Sequence, residues 1–187
     1  MENRSLKRPQ GFSLAELTAT LAIVGIGASL ALPNLKTAIN DGNQAAGVNQ
    51  LVSAMHIARS EAITRNQEVA ICPSNEGKRC DGAQWHEGWI IFTDADSDRQ
   101  AASPEVIIRR GEALENLRIH SEIFDHYLVY RPDGHAMARE PAEHTGDFTV
   151  CDNRGAADAR VLRIGLSGQP KLGERLSDGS GPDCDRG

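Results

Sequence analysis

The sequence predicts an α+β fold, a long N-terminal α-helix packed on antiparallel β-sheets, and three observations carry that prediction. Residues 11–35 form an apolar run with a single strong charge before its end, Glu16. Apolar positions then recur every three or four residues as far as about Asn66, the spacing of one buried helix face. Beyond Asn66 the period shortens to runs of β-branched and aromatic residues divided by Gly, Asn and Asp, as strands and turns alternate. A helix first and strands afterwards is the α+β order.

The first half of the helix, residues 12–35, is about as long as a bilayer core is thick. Ahead of it Arg4, Lys7 and Arg8 stand against Glu2 alone, a charge bias that holds a leader in the cytoplasm and sends the remainder outward. An ordinary secretory signal cut near Ser29-Leu30-Ala31 is the simpler reading of this stretch. Glu16 at the head of the apolar run argues against it, as does Pro33 followed by more helix-forming sequence. A carboxylate in an apolar medium is costly unless a cation meets it. Glu16 therefore wants a cationic partner.

The second half of the helix is expected to be amphipathic. Val48, Leu51, Val52, Met55, Ala58 and Ala62 make one stripe, facing one sheet, while Asn49, Gln50, Ser53, Arg59 and Ser60 fall mostly elsewhere. Gly42 and Gly47 each lower helix propensity by about 1 kcal/mol relative to alanine, so a kink or a flexible join is expected there. Strands follow at 69–72, 89–92, 106–110, 117–119, 127–130, 148–151 and 161–164. The tail from Ser177 onward, rich in Gly and Asp, stays disordered unless Cys184 ties it down.

With 187 residues, 40% hydrophobic and only 4% aromatic, the chain can hold one domain with a lean core. Its net charge of −6 speaks against a general nucleic-acid binder. Four cysteines behind an export signal suggest disulfides in an oxidising compartment, and three pairings are open.

The order basic leader, Gly11, Phe12, Glu16, apolar run and Pro33 resembles the class III leader of type IV pilins and pseudopilins. ICPSNEGKRC (71–80), WHEGWIIFTDADSD (85–98) and VCDNRGAADARVLRIGLSGQPKL (150–172) look like the GspH/FimT family of minor pilins and pseudopilins, most like the FimT/FimU-type minor pilins of type IV pili. The resemblance implies a type IV pilin-like fold in three parts. Residues 1–11 would be a leader removed by a prepilin peptidase/N-methyltransferase, 12–35 a transmembrane and polymerisation helix, and 36–187 a periplasmic globular domain. Gly11 would be the cleavage glycine, Phe12 the N-methylated new terminus, Glu16 the assembly carboxylate and Pro33 the residue that bends or locally melts the helix. Loss of the leader would take the net charge from −6 to −8. The resemblance also implies the pairings Cys72–Cys80 and Cys151–Cys184, a single-pass inner-membrane protein later incorporated into the pilus, and no catalysis or cofactor. Its partners would be other minor and major pilins and the inner-membrane assembly platform. A pseudopilin of a type II secretion system and a DNA-binding minor pilin of a competence pilus are the alternatives it leaves.

The DNA reading rests on Arg154, Arg160, Arg163, Lys171 and Arg175, cations in an otherwise acidic molecule. FimT-like proteins of competent bacteria are thought to contact DNA through a glycine-arginine segment, which here reads Gly168-Gln169-Pro170-Lys171. With one arginine replaced by Gln and another by Lys, and the molecule acidic, affinity no better than about 10⁻⁴ to 10⁻⁶ M is expected. Other chemistry is set aside. Asp94, Asp96 and Asp98 have the spacing that opens a calcium loop, but Arg99 stands where that loop turns on glycine, and no closing glutamate is expected in its place. The six histidines, His56, His86, His120, His126, His135 and His144, are scattered; no serine has a nucleophile elbow and no glycine loop cradles phosphate.

Overall fold

The computed structural model describes residues 11–101, 105–138 and 144–185, with the side chains of 30–34 outside that description. Residues 1–10, which make up all but the last position of the expected leader 1–11, are likewise outside the described residues. Among the described residues one α-helix, α1 (Leu14–Arg65), is followed by β1 (Val69–Pro73), β2 (Trp89–Thr93), β3 (Ile107–Gly111), β4 (Arg118–His120), β5 (Leu128–Tyr130), β6 (Ala136–Met137), β7 (Gly146–Cys151), β8 (Arg160–Ile164) and β9 (Pro170–Gly173), with single 3-10 turns at Trp85–Glu87 and Ala156–Asp158. The chain divides into two compact units between Asp41 and Gly42.

The first unit is the start of α1. Ser13 caps it: its Oγ accepts from the Glu16 N–H at 3.2 Å, and Glu16 lies in the first turn, where the helix dipole favours a carboxylate. Side chains 11–29 are all exposed, among them Phe12, Leu14, Leu17, Leu21, Ile23, Val24 and Ile26. Among the described residues no helix is long and apolar enough to cross a membrane; the expected span over 12–35 includes the side chains of 30–34, which lie outside them. α1 runs on through position 33.

In the second unit, α1 from Gly42 onward buries Val48, Leu51, Ala54, Met55, Ala58 and Ala62. The stripe meets not one sheet but two, which corrects the single-sheet expectation. One has the order β3-β2-β1-β5-β6 and the other β4-β7-β8-β9, with every pairing antiparallel. Val69, Ile71, Ile91 and Leu128 of the first and Phe148, Val150, Leu162 and Ile164 of the second share one core with the helix. Gly47 does not loosen α1. A Cβ there would run into the Leu117 side chain, so the missing methyl lets the segment before β4 lie against the helix.

Aromatic packing closes the space between the sheets. Trp85 stands edge-on to Phe148 with ring centroids 5.1 Å apart, Phe124 stacks on Phe148 at 5.5 Å, and Trp85 Nε1–H donates to the Phe124 carbonyl at 2.7 Å. The outer face of the five-stranded sheet holds a smaller cluster of Ala70, Cys72, Ile90, Phe92 and Val129. β6 and β9 were invisible to the strand pattern because β6 has two residues and β9 begins with proline and holds no β-branched or aromatic residue.

Two devices hold α1 and the sheets in place. Buried Gln44 donates from Nε2 to the Val150 carbonyl at 3.2 Å and the Asp158 carbonyl at 2.9 Å, and its Oε1 accepts from Arg160 Nε at 2.9 Å. At the other device the turn after β8 meets the turn between β5 and β6. Tyr130 OH donates to the Gly168 carbonyl at 2.9 Å, and Arg59 Nε donates to the Gly134 carbonyl at 3.0 Å. Burial pushes the Tyr130 hydroxyl well above its ordinary range, with the Arg59 charge pulling the other way, so it stays a donor. Gly168 has φ +68° and its Cβ position abuts the Gly134 carbonyl oxygen; both conditions call for glycine.

Candidate functional site

Three regions could carry function: the start of α1, the C-terminal basic segment and the acidic β2–β3 loop. At the first, Phe12 is 86% exposed and the Glu16 side chain is exposed in the opening turn. A Cβ on Gly11 would meet nothing within 4 Å, so packing gives no reason for glycine there. The sequence reading missed Ser13, although Ser-x-x-Glu ahead of an apolar run is a helix-start signature.

The C-terminal cations do not form one face. Arg160 and Arg163 are three apart on β8, so strand alternation places them on opposite sides of the sheet. Arg160 turns to Gln44 of α1. Arg163, opposite both Asp147 of β7 and Lys171 of β9, pairs with Asp147 at 2.9 Å and donates to the Arg175 carbonyl at 2.8 Å. Arg154 grips the nearly buried Asp152 with Nε and Nη2 at 2.9 and 2.6 Å and reaches Asp158 at 3.5 Å. Arg175 bonds the Gly179 carbonyl at 3.3 Å. Among the described residues Lys171 alone of the five has neither a side-chain hydrogen bond nor an ion pair, and it is exposed, while the Arg175 side chain meets only that backbone carbonyl. Two of the five charges are thus met by carboxylates, Arg154 by Asp152 and Arg163 by Asp147, and Arg160 is held by an amide oxygen.

The Arg154 side-chain hydrogen bonds hold the Asp152 carboxyl below its ordinary range, burial opposing and the Arg154 backbone N–H adding to the fall. A carboxyl whose pKa is lowered by folding adds stability above its unfolded value, about 3.9, and that stability disappears as pH falls through the folded value. Arg154→Ala is therefore expected to be less stable than the wild type at neutral pH, with the gap closing in acid. Urea unfolding at a series of pH values measures the gap.

Cys72 and Cys80 are bonded with Cα atoms 5.6 Å apart, and Cys151 and Cys184 with Cα atoms 5.9 Å apart. The second bond, with Ser177 N–H donating to Asp147 Oδ2 at 2.5 Å, lays the C-terminal segment along β7. His120, Glu122, Asp147, Ser177 and Asp183 help line the cleft of about 550 Å³ beside it.

The β2–β3 loop corrects one expectation. Counting from Asp94, the twelfth position is Glu105, so the closing glutamate of a calcium loop is present after all. Asp94, Asp96, Asp98 and Glu105 each offer an oxygen within 4.8 Å of the others, the one such group of three or more carboxylates, histidines and cysteines among the described residues. Arg99, at the glycine position, nevertheless adopts φ 65° and carries its own cation into the cluster, 2.5 Å from Asp94 and 2.6 Å from Glu68. Burial is the largest single influence on Arg99 and lowers its pKa, but the hydrogen bonds to Asp94 and Glu68 and their charges together outweigh it and raise the pKa overall. The histidines stay apart: His126 lies beside Asp125, His135 beside Asp133, and His144 against the Ala136 carbonyl.

The family model described as "Type II transport protein GspH" matches residues 47–169. No curated protein sequence matches the chain. Two crystal forms of the type IV minor pilin FimU from Pseudomonas aeruginosa PAO1 share its fold at 19% identity. One has a TM-score of 0.55 and covers 75% of this chain and 96% of that one; the other has a TM-score of 0.52 and covers 72% and 97%. The shared fold is α1 with its antiparallel sheets, and the family match runs from the packed half of α1 to the Gly168 turn: the chain belongs to the GspH family of type II transport proteins, the pilin and pseudopilin family.

Proposed function

We propose that this protein is a minor pilin of a type IV pilus, made with a leader that is cut after Gly11 and assembled through the helix that starts beside Phe12. The observation that carries the reading is the first unit: a helix whose apolar side chains are all exposed over 11–29, with Glu16 in its first turn. A helix apolar all round is stable only inside a membrane or a bundle of like helices. Gly25 and Gly27 have nothing within 4 Å of their Cβ positions, and small residues let helices approach closely in an apolar medium. Before assembly the helix would sit in the inner membrane, with the globular part in the periplasm and the peptidase/N-methyltransferase and assembly platform as partners. Glu16 would then meet the Phe12 amine of a neighbour and set the stagger between subunits.

The test is Glu16→Ala. It should be cleaved, exported and folded, yet fall in sheared pili relative to membranes by about tenfold or more, as expected for a lost ion pair in an apolar medium. Unchanged incorporation would remove Glu16 from assembly. Intact mass should correspond to a chain starting at N-methylated Phe12.

The family description favours a second reading, a pseudopilin of a type II secretion system. Deletion that abolishes surface motility and spares secretion supports the pilus; the reverse supports the pseudopilin. Contact with DNA would fall to Lys171 and Arg175, since Arg154, Arg160 and Arg163 are engaged within the fold.

A further inference from the structure

β3 is the end strand of the five-stranded sheet, so one row of its backbone N–H and C=O groups has no strand partner. Arg109 and Arg110 on it are exposed. Arg110 Nε donates to the Gly77 carbonyl at 2.6 Å. That bond draws up the loop closed by Cys72–Cys80, on which Lys78 and Arg79 are also exposed. Among the described residues none of these four cations forms an ion pair. Asp81, the acid closest in sequence to Lys78 and Arg79 on their C-terminal side, is turned inward to the N–H groups of Asn75, Glu76 and Ala83.

We propose that this edge is a docking strand for an acidic, extended segment of a partner protein, which adds to the sheet alongside β3. The proposal is independent of leader cleavage and of the Glu16 contact. Arg109 lies opposite Ile91 and Arg110 opposite Ile90, so the two arginines point to opposite faces of the sheet. Alternate side chains of an added strand would meet Arg109 on one face and Arg110 with Lys78 and Arg79 on the other. On the helix side a cleft of about 450 Å³, lined by Asn49, Gln50, Ser53, Trp89 and one carboxylate, Glu112, as well as the two arginines, gives those side chains room and polar partners, with two cations against one acid. Charge selects the occupant. Another copy of β3 would bring arginines against arginines, whereas an acidic strand neutralises both rows. A duplex needs only the charges and makes no use of the open backbone row.

The experiment titrates the full chain in detergent micelles against a fluorescein-labelled alternating Glu-Val peptide, with a Lys-Val peptide and a short DNA duplex as comparisons. Anisotropy should saturate with the Glu-Val peptide and not with Lys-Val, and hydrogen exchange should show new protection of the amides of 107–111. A Lys78→Glu, Arg109→Glu variant, which leaves the Arg110–Gly77 bond intact, should bind the peptide at least about tenfold more weakly with an unchanged circular dichroism spectrum. Preference for the duplex, binding without protection at 107–111, no binding, or binding indifferent to the two charge reversals would each overturn the proposal and leave the cations as guards against edge-to-edge association.

Discussion

Trp85→Ala is expected to destabilise the globular part by about 4 kcal/mol, the range for deleting a buried aromatic side chain. Trp85 is 1% exposed, stands edge-on to Phe148 and is the donor to the Phe124 carbonyl. Alanine would open a cavity where the two sheets and the helix share their core, and would leave that carbonyl without a partner. Trp85→Phe separates the two effects: the ring contact largely survives, while the lost donor alone costs about 1–3 kcal/mol. Urea unfolding followed by far-ultraviolet circular dichroism measures both, and Trp89, the other tryptophan, remains as a fluorescent reporter. Loss of less than about 1 kcal/mol in the alanine variant would mean that the space collapses around the missing ring.

The second large effect is expected from Cys151→Ser, Cys184→Ser. The bond spans 33 positions, and closing a loop of that length constrains the unfolded chain by about 3.5 kcal/mol on the entropic model. The shorter Cys72–Cys80 loop, spanning 8, gives about 2.5 kcal/mol by the same argument. Removing the long bond should therefore cost more, and should also free residues 176–185, seen as fast amide exchange and proteolytic clipping there. If the Asp147–Ser177 contact alone kept the segment protected, the disulfide would not be what orders it.

Seven strand positions were legible in the sequence because each carries β-branched or aromatic residues, most of which the core takes up, as Ile71, Ile91, Phe148 and Val150 show. What the sequence hid was which partner each charged or small residue meets, whether two positions away or more than a hundred. Arg154, Arg160 and Arg163 look like free charge until Asp152, Gln44 and Asp147 are seen against them. Gly47 reads as a helix weakener until Leu117 arrives beside it. Glu105 is different: its place twelve positions along was there to be counted. The cations of β3 and of the Cys72–Cys80 loop lie some thirty residues apart in sequence, and only the Arg110–Gly77 bond makes them one surface.

Gln44 has a mechanical consequence. Its three hydrogen bonds join one turn of α1 to β7, β8 and the loop between them, inside a water-poor interior where an unmet amide is expensive. Sliding α1 by one residue would move that amide about 1.5 Å along the axis and turn it by about 100°, breaking all three bonds together. Tension applied along the helix axis at this point is thus opposed in shear by bonds acting in parallel, and passes into the four-stranded sheet before the aliphatic contacts on either side of the helix have to yield.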